Sequence, residues 1–259
     1  MEGGGDSKFD EHFIHTIFPE FSKRLNLISS GNRSKVRLVL DLLEKARSNG
    51  SVTSKFYSIT DRDDEGPISP LPGKSFVWDR YHIENYLLEE HFIRKVMIEL
   101  RVPGAYKLTD ADVLERLQKS AEITMSKLIQ HEIENFVSKL MVKAINVGTR
   151  RDIQFSPSEV FDAVIESQNT ISDLIASKLT SDAIHSLTDN ARTNRRLTLQ
   201  NGKWKSDFRG RDVLRQFVND EMCQKTDYEG LRNLILARMR DAHFEPEGMR
   251  KILAEIDAL

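Results

Sequence analysis

The sequence predicts an α/β fold: a mostly parallel sheet carrying a large all-helical insertion. Three observations lead there. Over roughly the first hundred residues, helical periodicity alternates with short aromatic and β-branched runs, the order that builds parallel strands and their crossover helices. Within that stretch, Lys55-Phe56-Tyr57-Ser58-Ile59-Thr60 alternates as a core strand should. It stops abruptly in Asp61-Arg62-Asp63, then Asp64, Glu65, Gly66 and Pro67, which cannot continue a strand. Finally, between about residues 108 and 190 the strand signal disappears and apolar positions follow the helical repeat.

In chain order, Glu11-His12-Phe13-Ile14-His15-Thr16-Ile17-Phe18 places Phe13, Ile17 and Phe18 on one helical face. Leu25-Asn26-Leu27-Ile28 reads as a short strand broken by Ser29-Ser30-Gly31-Asn32. Ser34 is positioned to cap a helix carrying Val36, Val39, Leu40, Leu42 and Leu43 and ending near Gly50. After the 55–60 strand, a loop with Pro67, Pro70, Pro72 and Gly73 leads to a second strand, Ser75-Phe76-Val77-Trp78. Residues 83–100 read as one amphipathic helix closed by Pro103-Gly104. Asp110 is expected to cap a helix reaching about Gly148, with apolar positions Val113, Leu114, Leu117, Ile123, Leu128, Ile129, Ile133, Phe136, Val137, Leu140 and Met141. Ser156-Pro157 opens another, running towards Asn190, and the two suggest a long helical hairpin. Leu197-Thr198-Leu199 is expected to return the chain to the sheet before short helices at 211–217, 228–240 and 245–256. The expected organisation is a core over 1–104, a helical insertion over 105–195, and a return to the core with terminal helices over 196–259.

Composition narrows the function classes. With 259 residues, 39% hydrophobic and 30% charged, the chain can bury a core and is expected to be soluble and globular. No apolar run approaches the roughly 18 residues of a membrane span, so no membrane partner is expected. The amino terminus carries no secretory pattern and Cys223 is the only cysteine, which excludes an internal disulfide or a thiolate cluster and fits a cytoplasmic location. A net charge of −2 supplies no global field for nucleic acid, so such contact requires a local patch, metal ions or a partner. Arg195, Arg196, Lys203 and Lys205, interleaved with Trp204, form the candidate patch. Neither a Gly-x-x-x-x-Gly-Lys-Ser/Thr phosphate loop nor a Gly-x-Ser-x-Gly elbow occurs, so the chain is not expected to bind ATP by itself.

The acids carry the chemistry. Two carboxylates one residue apart at a strand's carboxyl end are costly unless they meet positive charge, and open α/β sheets bind ligands at that edge. Asp61 and Asp63 therefore point to a hard divalent cation such as Mg²⁺, with ordinary turn chemistry as the plainer reading. Glu2 and Asp6 flank three glycines, and Glu84 opens the helix after the second 55–78 strand, where a glutamate also serves simply as a dipole partner. His12 and His15 are spaced to share a metal, but no cysteine or further histidine joins them.

Taken in order, Glu-Gly-x-x-x-Asp, an amphipathic helix, a strand ending in Asp-x-Asp and Ile83-Glu84-Asn85-Tyr86-Leu87-Leu88 resemble the Toprim fold (Rossmann-like, with a mostly parallel sheet) of OLD-type nucleases. The branch most similar is that of Toprim effectors coupled to ABC- or SMC-like ATPases in phage defence, of which the PARIS type is an example. Residues 2–93 carry the match, and Phe208-Arg209-Gly210-Arg211-Asp212-Val213-Leu214 resembles the Gly-Lys-x-x-Leu element that closes the domain. Two positions depart from the pattern: only Met1 precedes Glu2 where the family has an apolar strand, and Arg211 stands where the family has lysine.

The resemblance implies a two-metal phosphodiesterase using Mg²⁺ or Mn²⁺, an endonuclease acting on DNA or tRNA. It implies Glu2, Asp6, Asp61, Asp63 and Glu84 as metal residues and Glu2, Asp61, Asp63 and Arg211 as catalytic ones, with Arg211 neutralising transition-state charge. Lys205 or Lys203 is the conjectured stand-in for the missing lysine if that lysine does acid work. The implied partners are an ATPase that restrains the nuclease and a second copy once it is released. The rival expectation is a noncatalytic Toprim-like module whose acids are structural and whose helical arm docks on a larger ATPase assembly.

Overall fold

The computed structural model describes residues 8–31, 33–62, 74–145 and 157–259. It divides into two compact units, one formed by Met1–Thr124 with Gly202–Leu259 and the other by Met125–Asn201.

In the first unit, β1 (Ser58–Thr60) and β2 (Ser75–Val77) pair in parallel, Ser58 opposite Ser75 and Thr60 opposite Val77. The expected parallel sheet is, among the described residues, this two-stranded pair. β1 is shorter than the 55–60 run because only its last three residues find partners in β2; Phe56 and Tyr57 line a cavity instead. The strand expected at Leu25-Asn26-Leu27-Ile28 does not form. These residues run without regular structure along the same cavity, of about 590 Å³, so their alternating apolar side chains line a groove rather than a sheet.

Helices pack around the pair. α1 (Lys8–Ile17) buries Phe13 and Ile14 completely, with Ile17 and Phe18 nearly so. Proline opens α2 (Pro19–Arg24), and α3 (Arg33–Ser48) buries Val36 and Leu40. Because α3 already includes Arg33, Ser34 lies inside it and is not its cap. The single helix expected over 83–100 is instead a 3-10 turn, Ile83–Leu87, followed by α4 (Glu90–Glu99). Extended backbone at Glu89 separates them, and the side chain of Asn85 is spent on other segments of the chain. α5 (Asp110–Ala144) is capped by Thr109 rather than Asp110: the Thr109 hydroxyl accepts from the Asp112 amide at 3.2 Å, and the Asp112 carboxylate accepts from the Thr109 amide at 2.6 Å.

The second unit begins within α5 and continues in α6 (Pro157–Lys178) and α7 (Ser181–Gln200). The helix expected from 157 towards 190 is broken at Thr180, whose hydroxyl accepts from the Ala183 amide and starts α7 afresh. Leu197-Thr198-Leu199, expected as a strand, is the last turn of α7, where Leu199 is buried and Leu197 exposed. The chain returns to the first unit through α8 (Trp204–Asp207), α9 (Gly210–Glu221), α10 (Tyr228–Asp241) and α11 (Glu247–Asp257). Among the described residues no helix is long and apolar enough to cross a membrane.

Candidate active site around Glu84

The site is organised by Asn85, which is fully buried and uses its whole amide. Its Oδ1 accepts from the His82 amide at 2.9 Å and the Gly210 amide at 3.1 Å. Its Nδ2 donates to the Lys205 carbonyl at 2.9 Å and the Phe208 carbonyl at 2.7 Å. One side chain thus ties the 3-10 turn to the start of α9 over 125 residues of sequence separation. Gly210 is obligatory for that approach, because a Cβ there would lie 2.7 Å from the Asn85 backbone nitrogen.

This tie delivers Arg211 to Glu84. Glu84 is 1% exposed, and its Oε1 accepts from Arg211 Nε at 2.9 Å and from the Tyr228 hydroxyl at 3.2 Å. Its Oε2 is buried with no hydrogen-bond partner. Burial alone would raise the Glu84 pKa, but the Arg211 guanidinium, the nearby His82 and the Arg211 hydrogen bond together hold it below the usual carboxylate range. The Arg211 pKa is raised by the same pairing despite desolvation, and the Tyr228 phenol is pushed up first by burial and then by Glu84. At neutral pH the group is therefore an ionised carboxylate, a fixed cation and a protonated phenol. A buried, charged oxygen left unpartnered is expensive, which makes Oε2 a hard oxygen donor suited to a divalent cation.

The carboxyl end of β1 is anchored to the same segment. Arg33, buried in the first turn of α3, donates to the carbonyls of Asp61 and Arg62. Arg62 in turn donates to the Ser206 carbonyl at 2.9 Å, the Asp79 carbonyl at 3.0 Å and the Asp207 carboxylate. The strand end bearing Asp61 and the turn bearing Glu84 are thus both fastened to residues 205–211. Asp61 is partly buried there. Of the other predicted metal or catalytic residues, Glu2, Asp6 and Asp63 lie outside the described residues. Among the described residues no three His, Cys, Asp or Glu side chains gather as a metal cluster.

The predicted basic patch divides. Arg195 is ion-paired with Glu132 within the second unit, and Arg196 is exposed on α7. Lys203 is exposed in the first unit, while Lys205 forms an ion pair with Glu90 that lowers the Glu90 pKa against the opposing effect of desolvation. Tyr228 escaped the sequence reading, since it lies 144 residues from Glu84 in a helix that reads as terminal packing. Asn85 was visible in the motif, but its role as a cross-link was not.

No known protein family matches the sequence, and no curated protein and no solved structure is detectably similar to it.

Proposed function

We propose that the protein is a metal-dependent phosphodiesterase, an endonuclease of the Toprim type acting on DNA or tRNA as the effector of an ATPase-regulated antiviral system. The observation that carries this reading is the buried Glu84: one oxygen is fixed by Arg211 and Tyr228, and the other is left without a partner. Mg²⁺ or Mn²⁺ would be held by that second oxygen with Asp61, Asp63, Glu2 and Asp6, and would supply an activated water and charge neutralisation at the phosphate. Tyr228 and Arg211 fix the Glu84 rotamer, so that the carboxylate is oriented before any ligand arrives. Arg211 remains charged across the physiological range and offers its remaining N–H groups to a phosphoryl oxygen. Lys205, the conjectured proton donor, is ion-paired with Glu90.

The noncatalytic rival draws on one feature, the Glu84–Arg211 pair itself, which also serves as a structural ion pair. Incubating the protein, alone and with a companion ATPase, with plasmid and total tRNA under Mg²⁺ or Mn²⁺ separates the two. Cleavage by the wild type that is abolished in Asp61→Ala supports the nuclease. Equal cleavage by both proteins, or none by either, would sink it in favour of the module.

A further inference from the structure

Beside Glu84 lies a second set of groups, joined to it through Tyr228. The Arg215 guanidinium sits 4.8 Å from the centroid of the Tyr228 ring, and that of Arg232 sits 5.3 Å from the same ring and 3.8 Å from that of Phe9. Arg215 is exposed, and Arg232 is half-buried and hydrogen-bonded to the Tyr228 side chain, with its Nε buried and without an acceptor among the described residues. Tyr228, whose hydroxyl reaches Glu84, therefore stands between a carboxylate oxygen and a guanidinium nitrogen that are both buried without a hydrogen-bond partner. Phe9, Arg211 and Tyr228 come from the first turns of α1, α9 and α10. Buried donors and acceptors are normally satisfied, so two orphans of opposite sign about one tyrosine describe a place for a bound cation and a bound phosphate together.

We propose that Arg232 and Arg215, carried on Tyr228, form a subsite for a backbone phosphate of the substrate next to the one cleaved. The proposal rests on the phosphodiesterase reading. It assigns to these arginines the capture and register of a nucleic-acid strand, distinct from the charge neutralisation assigned to Arg211. Guanidinium suits the task, because its planar fork grips phosphate in two places while its face rests on the aromatic ring. The subsite also gives a chain of net charge −2 a local means of holding a polyanion.

The test is the fluorescence anisotropy of labelled single-stranded DNA and RNA oligonucleotides, titrated in Ca²⁺ over a range of NaCl concentrations. Each of Arg215→Gln and Arg232→Gln is expected to weaken binding on the order of tenfold at low salt and to reduce the slope of log affinity against log salt by about one. Arg232→Lys, which keeps the charge, is expected to restore most of the slope. An unchanged slope in both glutamine variants, or a wild type that binds neither oligonucleotide, overturns the subsite. A loss of thermal stability with the slope intact also overturns it, leaving the arginines as packing on Tyr228 and Phe9. Cleavage by the same proteins separates the two levels. Wild-type cleavage that Asp61→Ala abolishes, together with unchanged slopes, removes the subsite and leaves the enzyme. Cleavage indifferent to Asp61→Ala removes the enzyme, while the salt slopes still report whether the arginines bind phosphate.

Discussion

The two units satisfy their polar groups at different ranges, and they treat apolar surface differently. In the first unit, polar side chains join elements far apart in sequence, as Asn85 does with Lys205, Phe208 and Gly210, and Arg62 with Ser206. In the second, the Arg195–Glu132 pair joins α7 to α5, but Ser167, Thr170, Ser172 and Ser177 of α6, like Thr188, Thr193 and Thr198 of α7, donate to carbonyls four residues back in their own helix. The first unit buries Phe13, Ile14, Leu87, Leu88, Phe217 and Leu231 completely. The second leaves Phe136, Phe161, Val164, Ile165, Ile175 and Leu197 at least 40% exposed. Long-range polar contacts fix side chains of different elements against one another, to the tolerance a catalytic site needs, whereas a bond within one helix fixes only that helix. The difference places the precise part of the molecule around Glu84.

Substitutions can break or sharpen that contrast. The largest effect is expected for Asn85→Ala, which strands two buried amides and two carbonyls at once and should cost about 4 kcal/mol or more in urea unfolding. Gly210→Ala should follow at about 2–3 kcal/mol, because its Cβ meets backbone that cannot yield. Gly248→Ala should cost less, about 1–2 kcal/mol, since its Cβ meets the exposed Asp79 side chain, which can move but only by giving up its hydrogen bond from the Tyr86 hydroxyl.

Glu84 gives the contrast a pH dependence. Its folded pKa is lowered, so its contribution to stability is fully present above the unfolded value of about 4.3 and is lost as pH falls through the folded one. Glu84→Gln should therefore flatten the unfolding midpoint between neutral and acid pH, and a profile as steep as the wild type's would mean that Glu84 is not the ionised member of the pair. The smallest effects belong to the second unit. Phe161→Ser and Ile175→Ser should change stability by no more than about 0.5 kcal/mol, and a loss several times larger would show that this surface is covered in solution.

Much of the first unit was legible because its signals are local. The alternation at 55–60 and 75–78 marks both strands, and Phe13 and Ile17 mark the buried face of α1. Glu84 and Arg211, both singled out from the sequence as candidate site residues, are ion-paired with each other. What failed depended on partners distant in sequence. Leu25-Asn26-Leu27-Ile28 has a strand's alternation but no ladder to join, and Leu197-Thr198-Leu199 is β-prone only in isolation, with α7 already running through it. Residues 83–100 have helical periodicity throughout, yet Asn85 serves the tertiary structure and the helix yields at Glu89. Tyr228, Arg215 and Arg232 gave no signal, because their significance lies wholly in where α9 and α10 set them.

The central claim is that Glu84 keeps one oxygen open for a divalent cation, and Mn²⁺ titration followed by electron paramagnetic resonance tests it without recourse to turnover. The wild type should bind Mn²⁺ saturably, and Glu84→Gln, which can still accept from Arg211, should weaken that binding on the order of tenfold or more. Binding of equal strength in the two proteins, or none in the wild type, would contradict the claim.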